Sequence, residues 1–139
     1  MIRRAVADTG PLVAILRKRE NAHNPCVAAL KLLRPPLLTC WPVLTEVAWL
    51  LRNEPKRLTA LGGLIRSGSV RLVELDELAF HWIVAFLERY SSVGAQMADA
   101  ALMYIAEQEG IDTVLTLDRR DFSVYRTTDG RALNIVPET

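Results

Sequence analysis

The sequence predicts an α/β domain whose mostly parallel sheet is covered by helices on both faces. Two observations predict it: short apolar runs alternate with longer stretches of helical spacing, and proline or glycine marks the joints between them. Strands separated by helices imply right-handed crossovers and parallel pairing. The 139 residues suit one domain, 1–139, with no repeat, linker or low-complexity tract.

Ala5-Val6-Ala7 is a short apolar run ending at Asp8 and reads as the first strand. Thr9-Gly10-Pro11 turns the chain, and Pro11 suits a first helical turn, with helix continuing over Leu12–Leu16. A helix over Pro25–Leu33 puts Val27, Leu30 and Leu33 on one face, until Pro35-Pro36 breaks it. Leu37–Cys40 is a strand, Pro42–Arg52 a helix and Lys56–Ile65 a helix ended by Gly68. Val70–Val73 is a strand, followed by helices over Glu77–Tyr90 and Gln96–Glu109, the latter closed by Gly110. Thr113–Leu117 and Leu133–Val136 are the remaining strands.

Composition narrows the function classes. Lysine plus arginine total 17 against 16 acids, a net charge of +1, so net charge does not point to a strongly basic nucleic-acid binder. No apolar run reaches the roughly 18 residues of a membrane span. Met1-Ile2-Arg3-Arg4 is a charged start, but Asp8 interrupts before any long apolar region, which argues against a secretory signal. Cys26 and Cys40 form no C-x-x-C, and His23 and His81 complete no zinc spacing. The expectation is a cytoplasmic protein with free thiols and no membrane association.

The informative residues are four isolated acids. Asp8 is the only charge between Ala5 and Leu16, Glu46 between Leu37 and Leu51, and Asp99 between Ser91 and Ile105; Asp118 closes the apolar run Thr113–Leu117. An ionised carboxylate in apolar surroundings is costly without a partner or a metal. Asp8 and Asp118 fall at the carboxyl ends of two strands, where open α/β sheets bind ligands at the point of strand reversal. If those strands are neighbours, the two acids meet. Glu46 lies one turn into the helix after the second strand, and Asp99 in the first turn of the helix before the fourth. Carboxylates brought together raise one another's pKa, a conflict that hard divalent cations remove; magnesium or manganese fits better than zinc. Acid clusters holding one or two such ions hydrolyse phosphodiesters.

Val6-Ala7-Asp8-Thr9-Gly10, Leu44-Thr45-Glu46-Val47, Met97-Ala98-Asp99-Ala100 and Leu115-Thr116-Leu117-Asp118-Arg119-Arg120-Asp121-Phe122 resemble, in order and spacing, the four signature segments of the PIN domain. The compact length resembles the VapC toxins of toxin–antitoxin pairs. The resemblance implies a three-layer α/β/α fold with a five-stranded parallel sheet. It also implies a magnesium- or manganese-dependent endoribonuclease, commonly a homodimer, blocked by a VapB-type antitoxin. By motif match, Asp8, Glu46, Asp99 and Asp118 are the metal-ligating, catalytic acids, and Thr9 and Thr116 are hydroxyls beside the site. Asp121 departs from the pattern, since many such toxins carry histidine there, and it stays outside the core set.

Arg119 and Arg120 adjoin the site and are candidates to hold the RNA backbone, whereas Arg17-Lys18-Arg19 reads as a solvated run. Trp41, Trp49 and Trp82 sit among apolar neighbours, which favours core or interface packing over base stacking. His23 and His81 read as surface or partly packed residues. Leu58, Leu61, Leu64 and Ile65, with Trp49 and Leu50, form a stripe suited either to the core or to a groove for an antitoxin helix. Other acidic-pocket classes fare worse. A receiver domain needs a lysine on its last strand and none follows Lys56; a haloacid-dehalogenase-like phosphatase needs an acid where Gly10 stands. The alternative function is a non-catalytic PIN-like module that binds RNA or a protein.

Overall fold

The computed structural model describes residues 3–138; Met1 and Ile2 of the charged start, and Thr139, lie outside the described residues. Among the described residues, five strands form one sheet: β1 (Val6–Ala7), β2 (Leu37–Thr39), β3 (Val70–Leu72), β4 (Thr113–Leu115) and β5 (Asn134–Val136). Every pairing is parallel and the spatial order is β3-β2-β1-β4-β5. The two-residue β1 is therefore the centre of the sheet. Ala5, Val6 and Ala7 are fully buried, as a strand covered on both faces requires.

Seven helices of the described residues join the strands: α1 (Thr9–Leu16), α2 (His23–Leu32), α3 (Trp41–Leu50), α4 (Pro55–Arg66), α5 (Glu77–Arg89), α6 (Met97–Glu109) and α7 (Arg119–Phe122). The chain winds outward through β2 and β3, then returns past β1 to β4. With right-handed crossovers this reversal puts α1–α4 on one face and α5 and α6 on the other. In the packing α1 meets α2, α3 and α4 and α5 meets α6, while α3 also reaches α6. The strand reversal falls between β1 and β4, paired through Val6 with Val114 and Ala7 with Leu115.

All five expected strands are present, with the fourth ending two residues early. Thr116 still donates its N–H to the Val136 carbonyl at 2.9 Å, but Leu117 turns out to solvent. The helix expected from Pro25 starts at His23, whose ring Nδ1 lies 2.6 Å from the Ala14 carbonyl. Helix α7 is absent from the expectations altogether. Four residues are too few to show a periodicity, and the helix exists because the Asp118 side chain caps it.

The structure sorts the tryptophans and the apolar stripe, and it corrects the reading of Arg17. Trp82 is half-buried, stacked on Phe86 with ring centroids 5.6 Å apart, but Trp41 and Trp49 are 64% and 65% exposed. Of the apolar stripe, Leu61 is buried and Leu58, Leu64 and Ile65 pack against the core, leaving Trp49 and Leu50 exposed. Arg17 is no solvated charge. Its guanidinium pairs with Glu20 at 2.8 Å and with Glu54, tying the end of α1 to the α3–α4 connection.

Candidate metal centre

The carboxyl ends of β1 and β4 lie side by side, and the residues just beyond each strand build the site. Asp8 comes directly after β1 and caps α1. It is 9% exposed, and its N–H donates to the Leu115 carbonyl of β4 at 2.9 Å. Gly10 keeps the start of α1 close to the stretch before Asp118: a Cβ there would come within 3.3 Å of Leu117 Cδ1. Two threonines then join the acids. The Thr9 N–H donates to Asp8 Oδ1 at 2.8 Å, and the Thr9 hydroxyl donates to Glu46 Oε1 at 2.6 Å. The Thr116 hydroxyl donates to Asp8 Oδ2 at 2.8 Å and accepts the Asp118 N–H at 3.0 Å. Asp118 Oδ1 in turn accepts the Asp121 N–H at 3.1 Å.

Glu46 reaches this network from the middle of α3. Asp99 sits in the first turn of α6, where it accepts the backbone N–H of the capping residue Gln96, one half of a capping box. Gln96 itself makes no side-chain cap. The other bond to Asp99 comes from the Tyr125 hydroxyl, donating to Oδ2 at 2.8 Å. No feature of the sequence points to Tyr125, which meets Asp99 only through the fold.

The electrostatics tie the four acids together. Burial, opposed by the bonds from Thr9 and Thr116, pushes the Asp8 carboxyl above its ordinary value, and the charges of Glu46 and Asp118 push it further. Burial pushes Asp99 up to about 6, with Asp8 and Asp118 adding to the shift and the Tyr125 bond opposing it. Among the described residues, no ion pair includes Asp8, Glu46, Asp99 or Asp118. Asp121 stands beside Asp118, and burial together with that neighbour pushes its carboxyl up.

The two candidate arginines differ. Arg119 spends its guanidinium on the carbonyls of Pro137 at 2.9 Å and Ile135 at 3.4 Å, pinning the end of β5. Arg120 is exposed, close enough to Asp121 to favour its ionised form. His81 is exposed, its ring 6.4 Å from that of Phe80. Cys26 and Cys40 are free and buried.

Among the described residues, no three His, Cys, Asp or Glu side chains are gathered tightly enough to hold an ion by themselves. The donor set nevertheless fits a hard divalent cation, because magnesium keeps several waters and takes one or two carboxylates directly. All-oxygen donors, buried negative charge and, among the described residues, the lack of a paired cation meet that description.

The PIN domain family model matches residues 5–127. The chain belongs to the PIN domain family. PIN-domain nucleases generally use a divalent metal, in keeping with the donor set. The fold recurs in solved structures, among them the following. The Mycobacterium tuberculosis VapC20, a sarcin–ricin loop cleaving toxin, is 18% identical with a TM-score of 0.71, over 79% of this chain and 86% of that one. A toxin–antitoxin complex from Klebsiella pneumoniae is 17% identical with a TM-score of 0.67, over 86% and 91%. VapBC2 from Rickettsia felis, bound to a DNA fragment from its promoter, is 13% identical with a TM-score of 0.63, over 97% of both chains. No curated protein matches the sequence. No helix of the described residues is long and apolar enough to cross a membrane.

Proposed function

We propose that this PIN-domain chain, acting as a single domain over residues 1–139, is an endoribonuclease dependent on magnesium or manganese. We further propose that it is the toxin of a toxin–antitoxin pair. The observation that carries the reading is the convergence of Asp8, Glu46, Asp99 and Asp118 in one negative field at the strand reversal, with no cation of the described residues paired to any of them. The solved neighbours support the biological role, since one cleaves the sarcin–ricin loop and two are toxin–antitoxin assemblies.

Asp8, Glu46, Asp99 and Asp118 would hold the ion, directly or through water. When bound, a divalent ion supplies an activated water at neutral pH and stabilises developing charge on a phosphodiester. The chain's own residues do the positioning. Thr9 fixes Asp8 with its N–H and Glu46 with its hydroxyl, while Thr116 couples Asp8 to the segment carrying Asp118. These bonds hold the carboxylates before substrate arrives, the preorganisation that electrostatic catalysis requires. Arg120 is an exposed cation at the rim for an RNA phosphate; Arg119 serves mainly the C-terminal strand. Partners on this reading are RNA, a VapB-type antitoxin and a second copy of the chain. Trp49 and Leu50 are the exposed apolar anchors offered to the antitoxin.

The test is cleavage of RNA by purified protein with magnesium, beside Asp8→Asn. Asp8→Asn is expected to cut more than about 100-fold slower, exceeding the loss usual for a residue that only supports a ligand. Equal cleavage by both proteins would remove the assigned mechanism.

A further inference from the structure

Around Asp99 the structure holds a group that neither the motif nor the composition marks. Tyr125 is fully buried, and its ring stands edge-on to Phe86, Tyr90 and Phe122 at centroid distances of 5.1, 5.2 and 5.1 Å. Packing against three rings leaves the phenol little freedom. Its hydroxyl points out of this cage to Asp99 Oδ2 at 2.8 Å. A carboxylate only accepts, so the phenol is the donor. Phenylalanine would fill the same cage without the cost of burying a hydroxyl. The hydroxyl therefore serves Asp99 rather than the packing.

The backbone reinforces the contact. Asp118 caps α7, and the Tyr125 N–H donates to the Asp121 carbonyl at 3.2 Å. Residues 118–125 thus begin with one site acid and end with the group that orients another. A helix-borne acid on α6 and a loop-borne acid after β4 are locked to each other by one short segment.

We propose that Tyr125 is a positioning residue for the metal centre, its buried hydroxyl setting the orientation of Asp99 and so the affinity for the divalent ion. This rests on the metal-centre reading above. Groups that hold a metal ligand in place usually contribute 10–100-fold, of order, to metal affinity.

The test is calorimetric titration of manganese into wild type, Tyr125→Phe and Tyr90→Phe, with folding checked by circular dichroism in chelator. Tyr125→Phe keeps the ring, so it is expected to fold and to bind manganese about 10–100-fold more weakly. Tyr90→Phe removes a hydroxyl from the same aromatic cluster that accepts the Arg126 N–H at 3.0 Å and bonds to no site acid, and it is expected to bind as wild type does. RNA cleavage by Tyr125→Phe is expected to fall at limiting metal, recover at saturating metal and keep its KM for RNA. In an Asp99→Asn background, Tyr125→Phe is expected to add no further loss.

Wild-type affinity in Tyr125→Phe overturns the proposal while leaving the metal centre standing. Equal losses in both tyrosine variants overturn it as well, since they would report general loosening of the cluster. Wild-type protein that takes up no manganese overturns this proposal and the metal-centre reading together. A Tyr125→Phe that is unfolded in chelator, beside a folded Tyr90→Phe, overturns it too, because the hydroxyl would then serve the fold.

Discussion

Burial and the charges of Asp8 and Asp118 push the Asp99 carboxyl up to about 6, from 3.8 for an unperturbed aspartate. Between those values the folded, metal-free protein holds a proton that the unfolded chain has released. The stabilising contribution is complete below about pH 4 and disappears as pH rises through about 6. Melting in chelator is therefore expected to show wild type losing stability relative to Asp99→Asn between about pH 4 and pH 6. RNA cleavage should run the opposite way, falling below about pH 6 as protons compete with the metal. A flat difference across that range would place Asp99 in water. At this scale the sequence was partly legible. The four acids stood out because Asp8, Glu46 and Asp99 are each the lone charge of an apolar segment and Asp118 closes an apolar run, and that placement is what the fold exploits. Tyr125 was not legible, because a tyrosine 26 residues from its acceptor leaves no local trace. Nor was Arg17, whose role depends on Glu54 arriving from the α3–α4 connection.

Among the elements, α6 carries Asp99 at one end and a left-handed residue at the other. Gly110 has φ +67°, and the next residue, Ile111, returns its N–H to the Ala106 carbonyl at 2.8 Å, closing the helix. Gly110→Ala introduces a Cβ into that conformation and is expected to cost about 1–2 kcal/mol in urea unfolding. Metal uptake should be unchanged, because Gly110 lies roughly 16 Å along the helix from Asp99. This stop was readable from the sequence, as was the succession along the chain of the five strands and the six longer helices. The remaining helix, α7, was not, since a single turn held by the Asp118 cap has no repeat to detect. The exposed Trp41 and Trp49 were unreadable for a related reason. Both lie on α3, whose residues are apolar nearly all round, so spacing alone cannot say which face is covered.

Across the whole molecule, the site exists only because β1 lies beside β4. The acids are spread from residue 8 to residue 118, and no local segment holds more than a fragment of the centre. The sequence supported that adjacency only as a condition, because strand order is a long-range property with no signature in a run of apolar residues. The same dispersal bears on the two unpaired thiols. Cys26 and Cys40 are fully buried, and burial, aided by Asp8 and Glu46, pushes the Cys40 thiol up to about 11. At neutral pH a maleimide can alkylate them only when the structure opens, so mass-spectrometric labelling rates count openings. Cys40 directly precedes the helix that bears Glu46, whereas Cys26 belongs to α2. Added manganese is expected to slow alkylation of Cys40 more than that of Cys26, and equal slowing would mean that the two sites breathe as one. The protein thus carries its own clock, wound by whatever ion fills the cup and readable without any RNA.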